Sequence, residues 1–363
     1  MKTHVPLIVA SGLALSAHAA LAGHPHHRAP LSIAVIGDMP YGTSPTDTAQ
    51  FDASPAFLDA INADRAVSFA IHVGDIHSGK QYCTEAYDRS IFDLWTQLAV
   101  PLVYTPGDNE WADCHKKAEG GDVVDTSGNP VDYANGDPIA NLELVRQIFF
   151  ARAGLALGGG VMPVATQSWF YDPRHPDDAD YVENVIFEQR GIVFVTIDLP
   201  GGSNNDQDVW YGAATESPAQ AAERTARTGA DQRWLETAFA FARVIRARGV
   251  VIVAQADVWD PEKGAAHQTG YEPIVATVAN GATQLGAPVL MLNGDSHAFL
   301  SDNPLSPSDP LAAMHPGYDV PNFHRIVVHG STLPLEYLRL TIDGDPAAGV
   351  ETFGPFSWER VAP

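Results

Sequence analysis

Short apolar runs, each closed by a polar group, alternate along this chain with segments whose apolar residues recur at helical spacing. LSIAVIGD (Leu31–Asp38) reads as a buried strand stopping at Gly-Asp. SPAFLDAINA follows with Phe57, Leu58 and Ile61 on one helical face. VSFAIHVGD (Val67–Asp75) repeats the strand, YDRSIFDLWTQLA the helix, with Ile91, Leu94, Trp95 and Leu98 aligned. VPLVYTPGD is a third strand ending in Gly-Asp. Strand, helix, strand, helix, strand predicts parallel pairing with crossovers, in which the carboxyl ends of the strands form the functional edge.

Residues 112–185 break the rhythm. They are rich in Gly, Asp and Pro, with a helix expected at IANLELVRQIFFA and a strand at VATQSWFYDP. This stretch reads as an insertion that shapes a pocket. IFEQRGIVFVTIDLPGG predicts two strands around a tight turn at Arg190-Gly191. Glu223–Arg248 predicts a long helix stopped by Gly249. GVVIVAQADVWD and PVLMLNGDSHAF are further strands with polar ends, and FHRIVVHG and LEYLRLTID close the pattern.

Composition narrows the possibilities. The chain has 363 residues, 45% of them hydrophobic, enough for a sizeable core. Residues 1–22 carry Lys2, an apolar stretch and Ala20-Leu21-Ala22, the features of an export signal, and 23–30 (GHPHHRAP) reads as a linker. The expected organisation is therefore signal 1–22, linker 23–30 and one domain over 31–363, in a periplasmic or secreted protein. No segment is long enough to span a membrane. A net charge of −23 disfavours nucleic acid and anionic lipid as partners. A phosphate-bearing substrate would need local positive charge, most simply from metal ions. Two cysteines, Cys83 and Cys114, in an exported chain suggest a disulfide tying two loops near acidic motifs; two buried thiols are the alternative.

The chemistry lies at the strand ends. Asp38, Asp75, Asp108-Asn109-Glu110, Gln255 with Asp257, and Asp295 with His297 all follow apolar runs. A single Asp after a strand is usually a turn or cap residue. Carboxylates gathered at one sheet edge repel one another and call for neutralisation, which divalent cations supply.

In order, the blocks GDMPYG, GDIHSG, GDNE, VIVAQAD and GDSH resemble those of the calcineurin-like metallophosphoesterases, over roughly Leu31 to Ile342. The helix segment QRWLE also looks like one common in that family. The resemblance implies an α/β fold, a two-sheet αββα sandwich with flanking helices and mixed strands. It implies two divalent metal ions bridged by Asp75, with Asp38 and His297 on the first. Asp108 and Asp295 would serve the second, with Gln255 where the family has a strand-end His and Asp257 as an alternative. Hydrolysis of a small phosphorylated substrate by a metal-bound hydroxide would follow.

The blocks depart from the family pattern in one direction. Asp108 stands for Asn, Asp295 for His, Gln255 for His, and Pro40 for the His of the first block. Oxygen in place of nitrogen shifts preference from zinc toward Mn²⁺, iron, Mg²⁺ or Ca²⁺. Tyr41 and His77 are further candidate contacts, and Glu110 keeps the family's acidic fourth position. Asn109 replaces a catalytic His, and Asn cannot give up a proton. Losing a general acid costs about 10²–10⁴-fold in rate, less for good leaving groups. Four carboxylates against two divalent ions leave a site near neutrality, which favours phosphodiesters or activated phosphoesters over dianionic monoesters. The rival reading is a catalytically impaired protein of this fold that binds metal or a ligand.

Overall fold

The first apolar runs form strands that pair as their crossovers require. In the computed structural model, which describes residues 29–363, β1 (Leu31–Ile36), β2 (Val67–His72) and β3 (Pro101–Tyr104) are parallel neighbours. They are joined by α1 (Ala49–Ala63) and α2 (Glu85–Trp95), the latter capped by the Thr84 side chain accepting from Tyr87 N–H. The expected signal 1–22 and all but the last residues of the linker 23–30 lie outside the described residues. Past β3 come α3 (Pro138–Phe149), then β4 (Leu157–Gly158), which closes that edge antiparallel to β3.

The second sheet takes β5 (Ala165–Thr166), β6 (Val185–Gln189), β7 (Ile192–Thr196), β8 (Gly249–Val253), β9 (Val289–Asn293), β10 (Leu300–Asp302) and β11 (Phe323–Val327). Its order is β10-β11-β9-β8-β7-β6-β5. The helices α4 (Pro218–Ile245) and α5 (Glu272–Leu285) make its parallel crossovers. The chain then returns to the first sheet through β12 (Tyr337–Ile342), β13 (Glu351–Phe353) and β14 (Phe356–Val361), giving β13-β14-β12-β1-β2-β3-β4.

Three apolar clusters stack these layers. Ile33, Val35, Phe69 and Ile71 of the first sheet meet Phe194, Val251, Leu290 and Leu292 of the second. Phe57, Ile61, Ile91 and Val145 cover the first sheet's outer face, and Trp234, Phe239, Ile274 and Val278 cover the second's. Strands sandwiched on both faces need continuous rather than alternating apolar runs, which is why the sequence pattern was so plain. The arrangement is an αββα sandwich.

Three local expectations change. VATQSWFYDP holds only the two-residue β5, because Gln167 turns inward to donate to the Ala230 carbonyl at 3.0 Å and Gln167–Phe170 coil into one helical turn. The long helix ends not at Gly249 but at Arg246, whose left-handed backbone (φ 54°) caps it, while Gly249 opens β8. The late strands β10, β13 and β14 lie outside the sequence expectation: β10 and β13 are three-residue edge strands with little periodicity, and β14 is a six-residue strand between β13 and β12. The Arg190-Gly191 turn has positive φ at both residues (58° and 81°), as a tight hairpin requires.

The region 112–185 is pinned to the site by the Cys83–Cys114 disulfide. Both sulfurs lie against the Asn109 carbonyl oxygen, at 3.3 and 3.5 Å. The bridge closes a loop of separation 31, for which chain entropy alone gives about 3–4 kcal/mol. Reductive denaturation, or a Cys83→Ala/Cys114→Ala variant, should lower the unfolding free energy by about that much in urea titration.

Candidate metal centre

The strand ends β1, β2, β3, β8 and β9 open on one edge, and the loops that leave them are tightly wound. Asp38, Asp75, Asp295 and His297 all have left-handed backbones, with φ of 51°, 61°, 75° and 61°. That region costs a residue bearing a Cβ roughly 1–2 kcal/mol, least for Asp. Backbone strain on this scale persists where a site needs the geometry it gives. The loops brace one another: Asp38 N–H donates to the Gly74 carbonyl at 3.0 Å and Asp295 N–H to Asp38 Oδ1 at 2.9 Å.

Asp38, Asp75 and His297 bring ligand atoms within 4.8 Å of one another. Asp38 is fully buried, and its Oδ2 has no hydrogen-bond partner. A buried carboxylate oxygen left without a donor is expensive, and a divalent cation removes that cost. His297 is 41% exposed, with Nε2 at 3.6 Å from Asp38 Oδ1. Burial lowers its pKa and favours the neutral imidazole, the form that ligates metals. Burial first, then neighbouring carboxylates, push Asp38 and Asp75 well above the usual carboxylate range. The three residues fit a divalent cation.

Asp75 sits at the hub. Its Oδ2 accepts from Tyr41 Oη at 2.7 Å, Asn109 Nδ2 at 3.1 Å and Gln255 Nε2 at 3.2 Å. Its N–H donates to Glu110 Oε1, which also accepts from Gly107 N–H and the Tyr104 hydroxyl at 2.9 and 2.7 Å. Glu110 thus clamps the ends of β2 and β3 together. Gly107 is required here, since a Cβ would lie 2.0 Å from Asp75 Oδ1.

Several candidates hold other positions than expected. Gln255 is buried and offers the carboxylates its amide nitrogen, not its carbonyl, because Oε1 accepts Gly201 N–H at 2.9 Å. Asp257 is paired with the buried Arg325 guanidinium and accepts from the Ser296 hydroxyl at 2.8 Å, so it anchors the β9 loop. Tyr41 donates its hydroxyl to Asp75, and burial and that carboxylate raise its pKa. His77 is buried against Tyr87, with its pKa lowered to about 4 by desolvation, and does not line the cleft. His72 latches β2 to β1, with Nε2 at 2.9 Å from the Met39 carbonyl.

Asp108 and Asp295 face each other across the remaining part of the cleft, whose volume is about 430 Å³. Lys80, Lys116 and Lys263 line it, together with Tyr41 and Asn109. Lys116 bridges Asp113 and Asp208, the latter at 2.9 Å, and its positive charge reaches Asp108. By sequence Lys80, Lys116, Lys117, Arg174 and Lys263 all lie near the blocks as charges that could offset the carboxylates, with none singled out, although the Asp-x-x-Lys spacing at Asp113–Lys116 is the signal that one helical turn would pair them. Asp208, from a loop nearly a hundred residues away, gave no signal. Arg174 pairs with Asp172 on the surface, away from the cleft lining.

Residues 31–206 match the family model of the calcineurin-like phosphoesterases, a family whose members use divalent metal ions. A purple acid phosphatase isolated from yellow lupin (Lupinus luteus) seeds aligns at 12% identity and a TM-score of 0.43, over 86% of this chain and 49% of that one. A putative 5′-nucleotidase from Staphylococcus aureus, solved with alpha-ketoglutarate, aligns at 9% identity and 0.41, over 91% and 53%. The chain spans about half the length of both. No curated protein matches it. Among the described residues no helix is long and apolar enough to cross a membrane.

Proposed function

We propose that this protein is a metal-dependent phosphoester hydrolase acting on phosphodiesters or other phosphoesters with good leaving groups, on a small substrate. The observation that carries the reading is the meeting of Asp38, Asp75 and His297 at the strand ends, beside a cleft lined by lysines. A divalent cation held there supplies Lewis acidity, acidifying water and polarising the phosphoryl oxygen. The oxygen-rich donor set favours Mn²⁺, iron, Mg²⁺ or Ca²⁺ over Zn²⁺.

The chain's own residues set the substrate preference. Asn109 spends its amide hydrogens inward, on Asp75, the Tyr41 oxygen at 3.0 Å and the His77 carbonyl at 3.0 Å. It neither donates to the cleft nor carries a transferable proton. A leaving group must therefore depart without help from this position, which good leaving groups do. Lys80, Lys116 and Lys263 draw an anion into the cleft, while the carboxylates that also line it, among them Asp108, Asp113, Asp208 and Asp295, oppose a dianion more than a monoanion. The disulfide is in keeping with an exported, periplasmic or secreted protein.

The same inward-turned Asn109 favours a second reading, a protein of this fold that binds metal or ligand without turnover. The two are separated by loading the protein with Mn²⁺ and assaying bis-(p-nitrophenyl) phosphate, p-nitrophenyl phosphate and a pyrophosphate diester. Faster turnover of the diesters is the expected result. A clear preference for the monoester counts against the diester reading, and no turnover of any substrate by metal-loaded protein favours the binding reading.

A further inference from the structure

We infer that the centre holds one divalent cation, and that the Gln255 side-chain amide occupies the space a second would need. The inference rests on the metal-dependent reading above and concerns how many ions the site takes.

Gln255 Nε2 lies 3.2 Å from Asp75 Oδ2 and 3.0 Å from Asp108 Oδ1. It therefore bridges the two carboxylates that a second ion would have to share. A hard divalent cation needs its oxygens at about 2.0–2.6 Å, and an N–H donor aimed between them excludes it. Turning the amide does not free the space. Its oxygen is held by Gly201 N–H at 2.9 Å, so a flip would set the new NH₂ against that N–H, donor to donor. Nor does the side chain have room to withdraw, because Gly107 packs so close that a Cβ there would meet Gln255 Cγ at 2.8 Å.

The remaining groups fit a single ion. With three donors on Oδ2, Asp75 has one further hydrogen bond, from Asn109 N–H to Oδ1 at 3.4 Å, and so keeps acceptor capacity for a cation. Asp38, whose Oδ2 has no hydrogen-bond partner, and His297 complete that set, with ligand atoms within 4.8 Å of one another. On the other side Lys116 supplies fixed positive charge toward Asp108, and Asp295 Oδ2 is taken by Asp257 N–H at 3.1 Å. Two N–H-bearing side chains thus do, for Asp108, part of what a cation would otherwise do.

The test is metal stoichiometry of the full chain by elemental analysis after Mn²⁺ loading, with electron paramagnetic resonance on the same samples. The expected result is about one ion per chain and the hyperfine spectrum of isolated Mn²⁺. That ion should survive Asp108→Asn and be lost in Asp38→Asn, with wild-type circular dichroism as the folding control. Gln255→His, which removes the blocking amide, should raise the count toward two. Two tightly held ions with an exchange-coupled spectrum in the wild type would overturn the inference while leaving the hydrolase reading intact. No bound ion in the wild type would overturn both. One ion that is lost in Asp108→Asn and kept in Asp38→Asn would also overturn it. The wild-type spectrum alone decides the count if a variant fails to fold.

Discussion

Asp75→Asn is expected to abolish metal binding and to lower any hydrolytic rate by about 10³-fold or more, the equivalent of the several kcal/mol that metal-centred charge stabilisation supplies. The neighbours dictate the outcome. Tyr41, Asn109 and Gln255 all donate to Asp75 Oδ2, so the substituted amide must turn its oxygen to them. The substitution leaves one oxygen already committed to three donors and an NH₂ in place of the other, and an amide nitrogen cannot share a cation with Asp38 and His297. The fold should survive, because the substitution removes a charge that Asp108, Glu110, Asp38 and Asp295 all repel. Elemental analysis, thermal melting and rate measurement on one preparation check this. Full metal content with full rate would show that Asp75 is not the hub.

The second large effect concerns pH in the metal-free protein. In the unfolded chain Asp108 titrates near 3.8, whereas in the fold burial, then repulsion from Asp113, push it to about 8. Between those values the folded state binds the extra proton, so the unfolding free energy falls as pH rises. This stability is fully present below about pH 4 and is lost by about pH 8. For Asp108 alone the change is on the order of 5 kcal/mol, or a fall in Tm on the order of 10 °C. Asp38, Asp75 and Asp295 are shifted in the same direction and add to the slope. Metal-free melting curves from pH 4 to 8 should therefore descend, and saturating Mn²⁺ should flatten them, since an ion bound only by the folded state stabilises it. A metal-free Tm that rises over this range would contradict the placement of these carboxylates.

The centre differs from a simple ligand cage in how its residues are engaged. Glu110 is spent on backbone N–H groups, Asp257 on Arg325, and Asn109 on Asp75 and its surroundings. Each was flagged by its position after a strand. Each holds a loop in place, Asn109 and Asp257 doing so at the wall of the cleft. Positioning of this kind matters to a metal site because ligands that are not held lose affinity.

What the sequence determined by itself is the layering and the address of the site. Strands buried on both faces must be continuous apolar runs, and parallel strands must be joined by crossovers, so Leu31–Ile36, Val67–His72 and Pro101–Tyr104 announced both their pairing and their common end. Asp38, Asp75 and Asp108 were legible as neighbours for that reason alone. What only the tertiary structure decided is which way each polar group faces. Gln255 could equally have presented oxygen or nitrogen until Gly201, more than fifty residues away, took the oxygen. Likewise Lys116 could have been a solvated charge until Asp208 arrived from a distant loop to hold it. Periodicity is a local property that the chain carries along its length, whereas hydrogen-bond direction is set by partners that meet only when the sheets close on each other.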